Sequence, residues 1–321
     1  MSKKIYVTRR IPNIGLEMLK KEGFEVKVSE KDTVLSKDEL LSEIRNFQPD
    51  ALLCLLTDNI DEDVLSAAPI KICATYSVGF NHINLEAAKK MGVTVTNTPG
   101  VLTNAVMEFT IAAIFSLTKR IVEADKFTRA GNYKGWEPEL LLGMELHNKT
   151  LGVLGAGRIG ANVAKAMHGL GMEVFYYDMR QNSELDEMGI RFADKDEILR
   201  VSDILTVHVP LFDSTRHFLS VDEFKIMKNS ALLVNTSRGP VIDERALLTA
   251  LKTKEIAGAF LDVFENEPEF ERDFAAMNNV ILTPHIASAT METRNEMSVM
   301  AAQSIIDFFL GKKPKYIVDL C

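Results

Sequence analysis

Cysteine is scarce. The 321 residues hold three, Cys54, Cys73 and Cys321, with no paired spacing. Two of them lie in apolar runs, so a disulfide framework is excluded and buried, reduced thiols of a cytoplasmic protein are expected. The six histidines form no cluster with cysteine at metal-ligand spacing, and no metal is expected. An excess of basic charge is also missing. The 37 Lys and Arg against 45 Asp and Glu leave a formal charge of −8, without a long Lys/Arg run. That balance argues against nucleic acid or an anionic membrane as a partner. No stretch of 18 apolar residues occurs, and the N-terminus runs straight into the strand-like Lys4-Ile5-Tyr6-Val7-Thr8, so neither a membrane span nor a secretory leader is expected. Repeats and low-complexity segments are absent as well. What remains is 46% hydrophobic residues over a length that fits two domains of about 150 residues each.

Apolar runs and amphipathic stretches alternate through the first hundred residues. Strand-like segments lie at Lys4–Thr8, Phe24–Val28, Ala51–Leu56, Ile72–Tyr76 and Val93–Val95, and helical ones at Ile14–Lys20, Lys37–Phe47 and Leu85–Met91, the last capped by Gly92. Asn97-Thr98-Pro99-Gly100 breaks the pattern as a linker does. A helix from about Asn104 to Arg120, apolar almost all round, is expected to be buried. A second series then runs from Lys149 to about Pro284, with strands at Thr150–Leu154, Glu173–Tyr177, Ile204–Val209, Ala231–Asn235, Gly258–Phe260 and Val280–Leu282, before a final helix, Met291–Leu310. Strand–helix alternation of this kind builds parallel sheets, so two doubly wound α/β domains are expected.

The most informative local segment is Gly155-Ala156-Gly157-Arg158-Ile159-Gly160. Three glycines alone are a weak signal, but these follow an apolar strand and open a helix. Eighteen residues beyond Gly160, the next strand ends in Asp178. That context suits a dinucleotide: Gly155 for a tight turn, Gly157 for close approach of the pyrophosphate, Gly160 for helix–strand packing, and the helix N-terminus, at Arg158 and Ile159, for phosphate. A carboxylate at Asp178 accepts hydrogen bonds from ribose hydroxyls and repels a 2′-phosphate. Arg180 is the counter-signal, since it could reach such a phosphate. NAD(H) is expected in preference to NADP.

Three further segments follow in order: Val234-Asn235-Thr236-Ser237-Arg238-Gly239, Leu261-Asp262-Val263-Phe264-Glu265-Asn266-Glu267-Pro268 and Thr283-Pro284-His285-Ile286-Ala287-Ser288. With these, with Tyr76-Ser77-Val78-Gly79 and with Thr98-Pro99-Gly100-Val101-Leu102-Thr103, the chain resembles the D-isomer-specific 2-hydroxyacid dehydrogenases over nearly its whole length. Leu53-Cys54-Leu55-Leu56-Thr57-Asp58 and His285-Ile286-Ala287-Ser288-Ala289-Thr290 are similar to the glyoxylate/hydroxypyruvate reductases (glycerate dehydrogenases) within that family. The resemblance implies a Rossmann NAD domain, 99–287, inserted into a split flavodoxin-like substrate domain, 1–98 with 288–321. Crossings near Pro99 and Ala287 would then form a hinge.

It also implies a catalytic set. Arg238 would clamp the carboxylate and carbonyl of a 2-keto acid. His285 would supply the proton in reduction and remove it in oxidation, with Glu267 orienting its imidazole. Glu265 lies close enough to be mistaken for Glu267. The backbone at Val78 and Gly79 would hold the substrate carboxylate. Asp262 would accept from the nicotinamide carboxamide in a pocket also lined by Thr236 and Pro210, with Thr103 and Thr215 near phosphate or ribose. Trp136 would reach toward a partner's active site in a homodimer, core packing being its other reading. His208 reads as structural, and Met291, Met297 and Met300 as core or interface. Many relatives have Ala-Glu-His where this chain has Met107-Glu108-Phe109, a change in helix packing that leaves the acid–base set intact. The implied activity is NADH-dependent reduction of glyoxylate or hydroxypyruvate. Alternatives are 2-ketogluconate, pyruvate or a branched 2-keto acid, or an NAD-sensing scaffold like the corepressors that share this fold.

Overall fold

The computed structural model describes residues 2–319; Cys321 lies outside them. The chain divides into two compact units, one running to Leu102 and resuming at Ala289, the other Thr103–Ser288.

The first unit carries five parallel strands, β1 (Lys4–Val7), β2 (Glu25–Val28), β3 (Ala51–Cys54), β4 (Ile72–Thr75) and β5 (Thr94–Thr96), in the order β2-β1-β3-β4-β5. This is the flavodoxin-like order. Side chains alternate across the pleat. Tyr6, Leu52, Cys54 and Cys73 therefore join Leu40, Ile44 and Val64 on one face, while Ile5, Val7, Leu53 and Ile72 join Leu16, Leu19 and Ile305 on the other. The central strand β3, Ala51-Leu52-Leu53-Cys54, is buried on both faces and is apolar throughout, whereas the edge strand β2 carries Glu25 and Lys27. β3 ends at Cys54, two residues earlier than its apolar run, because Asp58 accepts the Leu55 N–H at 2.7 Å and turns the chain.

The second unit has seven parallel strands, β6 (Thr150–Leu154), β7 (Glu173–Tyr177), β8 (Arg191–Phe192), β9 (Ile204–Val207), β10 (Leu232–Asn235), β11 (Gly258–Leu261) and β12 (Val280–Leu282). Their order, β12-β11-β10-β9-β6-β7-β8, reverses direction at β6. It is the Rossmann arrangement extended by one strand. Leu151 and Val153 face a core shared with the helices Thr103–Thr118 and Arg158–Gly169, and Leu154, Leu205 and Leu233 face one shared with Ile198, Phe224 and Leu247.

The expected helix 104–120 is found at Thr103–Thr118, and a second helix that was not expected follows it. The first stops at Thr118, whose carbonyl accepts the Met144 N–H at 2.8 Å, and after Arg120 in a left-handed conformation (φ 56°) the second, Ile121–Arg129, begins. Nor is the first helix buried all round. Within its unit it packs one stripe inward, Ala105, Val106, Thr110, Ala113 and Ile114, while Glu108 is exposed. Its apolar composition gave no clue to this one-sided packing.

Candidate active site

The carboxyl ends of β10, β11 and β12 lie side by side, and each leads into one residue of the expected catalytic set. At the end of β10 the buried Asn235 shapes the exit. Its Oδ1 accepts from the Ser237 N–H (3.0 Å) and hydroxyl (2.8 Å), and its Nδ2 donates to the Arg238 carbonyl (3.1 Å). Arg238 follows in extended backbone, and its Nη1 donates to the Ser237 carbonyl at 2.7 Å. The next residue must be glycine, since a Cβ on Gly239 would sit 1.8 Å from the Phe264 carbonyl oxygen. The Arg238 loop and the loop after β11 are thus pressed backbone to backbone.

Glu267 folds back on that second loop. Its Oε1 accepts the Phe264 N–H at 3.0 Å, and its Oε2 lies 2.8 Å from His285 Nδ1. The two side chains are only 24% and 23% exposed. Burial raises the Glu267 pKa, but the hydrogen bond and charge of His285, the Phe264 N–H and the field of Arg238 outweigh it and hold the carboxyl below the ordinary glutamate range. Burial likewise lowers the Arg238 pKa, with Glu267 opposing, and a guanidinium so placed keeps its charge at neutral pH. With Nδ1 taken by Glu267, His285 Nε2 has no partner among the described residues.

His285 sits in a left-handed conformation, φ 53°, which a histidine adopts only when its surroundings impose it. Asp262 does so. Its carbonyl accepts the His285 N–H at 2.8 Å. Its carboxylate accepts the Thr283 hydroxyl (2.6 Å) and the Ile286 (2.9 Å) and Ala287 (2.8 Å) N–H groups. Asp262 is fully buried, and burial raises its pKa against these hydrogen bonds. Thr283 was not singled out in the sequence. Its 21-residue separation from Asp262 carries no local signal.

The glycine turn has the form a dinucleotide needs. Gly155, at φ 94°, packs so tightly that a Cβ would meet the His208 carbonyl carbon at 2.7 Å. A Cβ on Gly160 would meet the Gly155 oxygen at 1.9 Å, whereas one on Gly157 would meet nothing within 4 Å. Gly157 also begins the helix Arg158–Gly169 without a side-chain cap, so the first-turn N–H groups at Arg158 and Ile159 have no acceptor among the described residues. Asp178, just beyond β7, accepts the Ala156 N–H (2.7 Å) and the Met179 N–H (2.7 Å), which ties the carboxylate to the turn itself. Arg180 is exposed. These residues fit a nicotinamide dinucleotide.

The remaining positions are less closely gathered. The Thr236 hydroxyl pairs with Thr110 at 2.8 Å. The Thr215 hydroxyl donates to the Pro210 carbonyl (2.6 Å) and accepts the Phe212 N–H (2.8 Å), closing the loop after β9. Thr103 opens the helix Thr103–Thr118. His208 bonds Thr206 Oγ1 at 2.9 Å, and burial drives its pKa down to about 4, as befits a neutral, structural histidine. Met297 is buried, whereas Met291 is exposed. Trp136 is 83% exposed and takes part in no core. In the first unit, Asn97 Nδ2 donates to the Val78 carbonyl (2.8 Å) and the Ser77 hydroxyl to the Gly79 carbonyl (2.6 Å). The N–H groups of Val78 and Gly79 have no partner among the described residues.

The chain is similar to known proteins over nearly its whole length. Residues 111–287 match the family model "D-isomer specific 2-hydroxyacid dehydrogenase, NAD binding domain". A glyoxylate reductase of Thermofilum pendens is 48% identical over 98% of this chain and 94% of its own. A protein of Thermus thermophilus superposes with a TM-score of 0.92 at 37% identity, covering 98% of this chain and all of that one. An NADPH-dependent glyoxylate/hydroxypyruvate reductase of Sinorhizobium meliloti, solved with NADP and malonate, has a TM-score of 0.87 at 29% identity, covering 100% and 98% of the two chains. The chain belongs to the D-isomer-specific 2-hydroxyacid dehydrogenases, NAD(P)-dependent oxidoreductases of small 2-hydroxy and 2-keto acids.

Proposed function

We propose that the protein reduces glyoxylate or hydroxypyruvate to the D-2-hydroxy acid with NADH. The observation that carries this is the His285–Glu267 pair at 2.8 Å, placed beside Arg238 on three adjacent strand ends. The bound nicotinamide supplies the hydride. The protein's own groups do the rest. Arg238 presents a planar fork of donors to the substrate carboxylate and carbonyl oxygen, which fixes the carbonyl carbon for attack. His285, protonated and held at Nδ1 by Glu267, gives a proton from Nε2 to the oxygen as its charge grows. In oxidation the same atom takes the proton back. The unpartnered Val78 and Gly79 N–H groups are the donors assigned to the substrate carboxylate.

On the cofactor side, Gly155, Gly157, Arg158, Ile159 and Gly160 receive the pyrophosphate, and Asp178 selects NAD over NADP by accepting ribose hydroxyls and repelling a 2′-phosphate. Thr103, Pro210, Thr215 and Thr236 line the nucleotide. Asp262 is assigned by resemblance to the carboxamide. With its carboxylate already accepting three donors, its better-supported part is to anchor the His285 loop. A homodimer is the assembly we propose, because Ile121, Tyr133, Trp136 and Leu142 leave large apolar side chains exposed within one stretch of chain. The free thiols Cys54 and Cys73, 3.6 Å apart, suit the reducing cytoplasm.

Replacing the two groups that touch substrate tests the assignment. His285→Ala should lower kcat for glyoxylate reduction by about 10²–10⁴-fold, the range of general acid catalysis. Arg238→Ala should cut kcat/KM by a similar order, with NADH binding retained. Near-full activity in either variant removes that residue from the mechanism.

A further inference from the structure

We infer that Glu244 is a positioning residue for the acid–base pair: its one carboxylate holds both ends of the loop that carries Glu267. The inference rests on the reading of Glu267 and His285 given above. Glu244 opens the helix Glu244–Thr253 and is buried, 6% exposed. Its Oε1 accepts the Glu265 N–H at 2.5 Å and its Oε2 the Glu271 N–H at 3.4 Å. Residues 265 and 271 bracket Glu267, so the carboxylate spans the base of its loop.

The hold is reciprocal. Glu265 Oε2 accepts the Glu244 N–H at 3.4 Å, and Glu265 Oε1 lies 2.6 Å from His217 Nε2. His217 in turn donates its backbone N–H to the Pro240 carbonyl at 2.8 Å, two residues beyond Arg238. The helix start, the Arg238 loop and the Glu267 loop thus form one knot. A carboxylate is an expensive way to fill a buried place. Burial raises the Glu244 pKa; the Glu265 and Glu271 N–H groups it accepts pull it down, and the charges of the Glu265 and Glu271 side chains push it up again. Plain packing would be served better by an apolar side chain. What the carboxylate alone offers is two acceptor oxygens for two converging N–H donors. Glutamine has one, and its amide N–H₂ would meet a donor.

The test compares Glu244→Gln, Glu271→Pro and Glu267→Gln in glyoxylate reduction with NADH across pH. Proline at 271 removes the N–H that Glu244 accepts together with the Glu271 carboxylate, whose partner is Arg245 at 3.3 Å, and the φ of −61° there already suits it. It keeps the inference testable if the glutamine variant fails to fold. His285 gives a proton in reduction, so the pH profile reads how well Glu267 supports that step. The charged groups facing the pair are Arg238 and Asp262; those facing Glu244 are Glu265 and Glu271, with His217 and Asp243 beyond. All are kept in the glutamine variant. Glu267→Gln should move the alkaline fall-off to lower pH. Glu244→Gln and Glu271→Pro should move it the same way by less, with kcat reduced on the order of tenfold and KM for NADH unchanged. An effect on folding alone lowers the active fraction and leaves the profile in place. An unmoved profile in both variants, with Glu267→Gln moving it, overturns the role of Glu244. If Glu267→Gln itself moves nothing, the reading of the pair fails and takes this inference with it.

Discussion

His208 shows how one buried side chain sets a pH dependence. Burial holds its pKa near 4 against an ordinary 6.5. Between those values the unfolded chain binds a proton that the folded chain does not, so stability falls as pH drops from about 6.5 to about 4 and then levels off. His208→Gln keeps a partner for Thr206 and removes this slope. The stability advantage of the native residue over glutamine should shrink by about 3 kcal/mol at most between pH 7 and pH 4 in urea unfolding. A constant difference across that range would mean that His208 is not held neutral. Glu267 runs on a different scale. Its depressed pKa stabilises the fold above the ordinary glutamate range, and that contribution is lost as pH falls through the lowered value. Single residues of this kind are where sequence says least. Arg238, Glu267 and His285 stand out because each follows a strand in a fixed order, whereas nothing around Thr283 marks the carboxylate its hydroxyl donates to, nor around Glu244 the backbone donors it serves.

At the scale of elements, the three glycines of the turn separate folding from binding. Gly155→Ala forces a Cβ into φ 94° and onto the His208 backbone at 2.7 Å, which should cost roughly 1–3 kcal/mol for the backbone alone. Gly157→Ala meets no protein atom within 4 Å and keeps an ordinary φ of −68°. It should leave Tm unchanged while weakening NADH binding, as read by cofactor fluorescence titration. Unchanged affinity would place the pyrophosphate elsewhere. Elements with a strong periodic signal and a capping residue were legible: Lys37–Phe47 and Leu85–Met91 lie where the pattern puts them, as do Thr150–Leu154 and Glu173–Tyr177. The helix Ile121–Arg129 was not, because the turn that sets it off depends on the Thr118 carbonyl accepting from Met144, 26 residues on. Short elements such as Arg191–Phe192 and Glu62–Ser66 offer too few residues to show a period.

For the whole molecule, the order of the motifs carried the family, and the parallel sheets followed from strand–helix alternation. Assembly and substrate lie beyond that order. The exposed Trp136 and Leu142 predict a particle of twice the chain mass by light scattering, shifted toward monomer by Trp136→Ala with Leu142→Ser. A monomer at micromolar concentration in the native protein would contradict the dimer. The most direct measurement is NADH oxidation with glyoxylate, hydroxypyruvate, pyruvate, 2-ketogluconate and phenylpyruvate, repeated with NADPH. The account predicts fastest turnover of glyoxylate or hydroxypyruvate, and with NADH. Preference for NADPH would shift cofactor selection from Asp178 to Arg180, and a bulkier acid in front would replace the substrate. No turnover of any 2-keto acid with either cofactor would contradict the account at its centre.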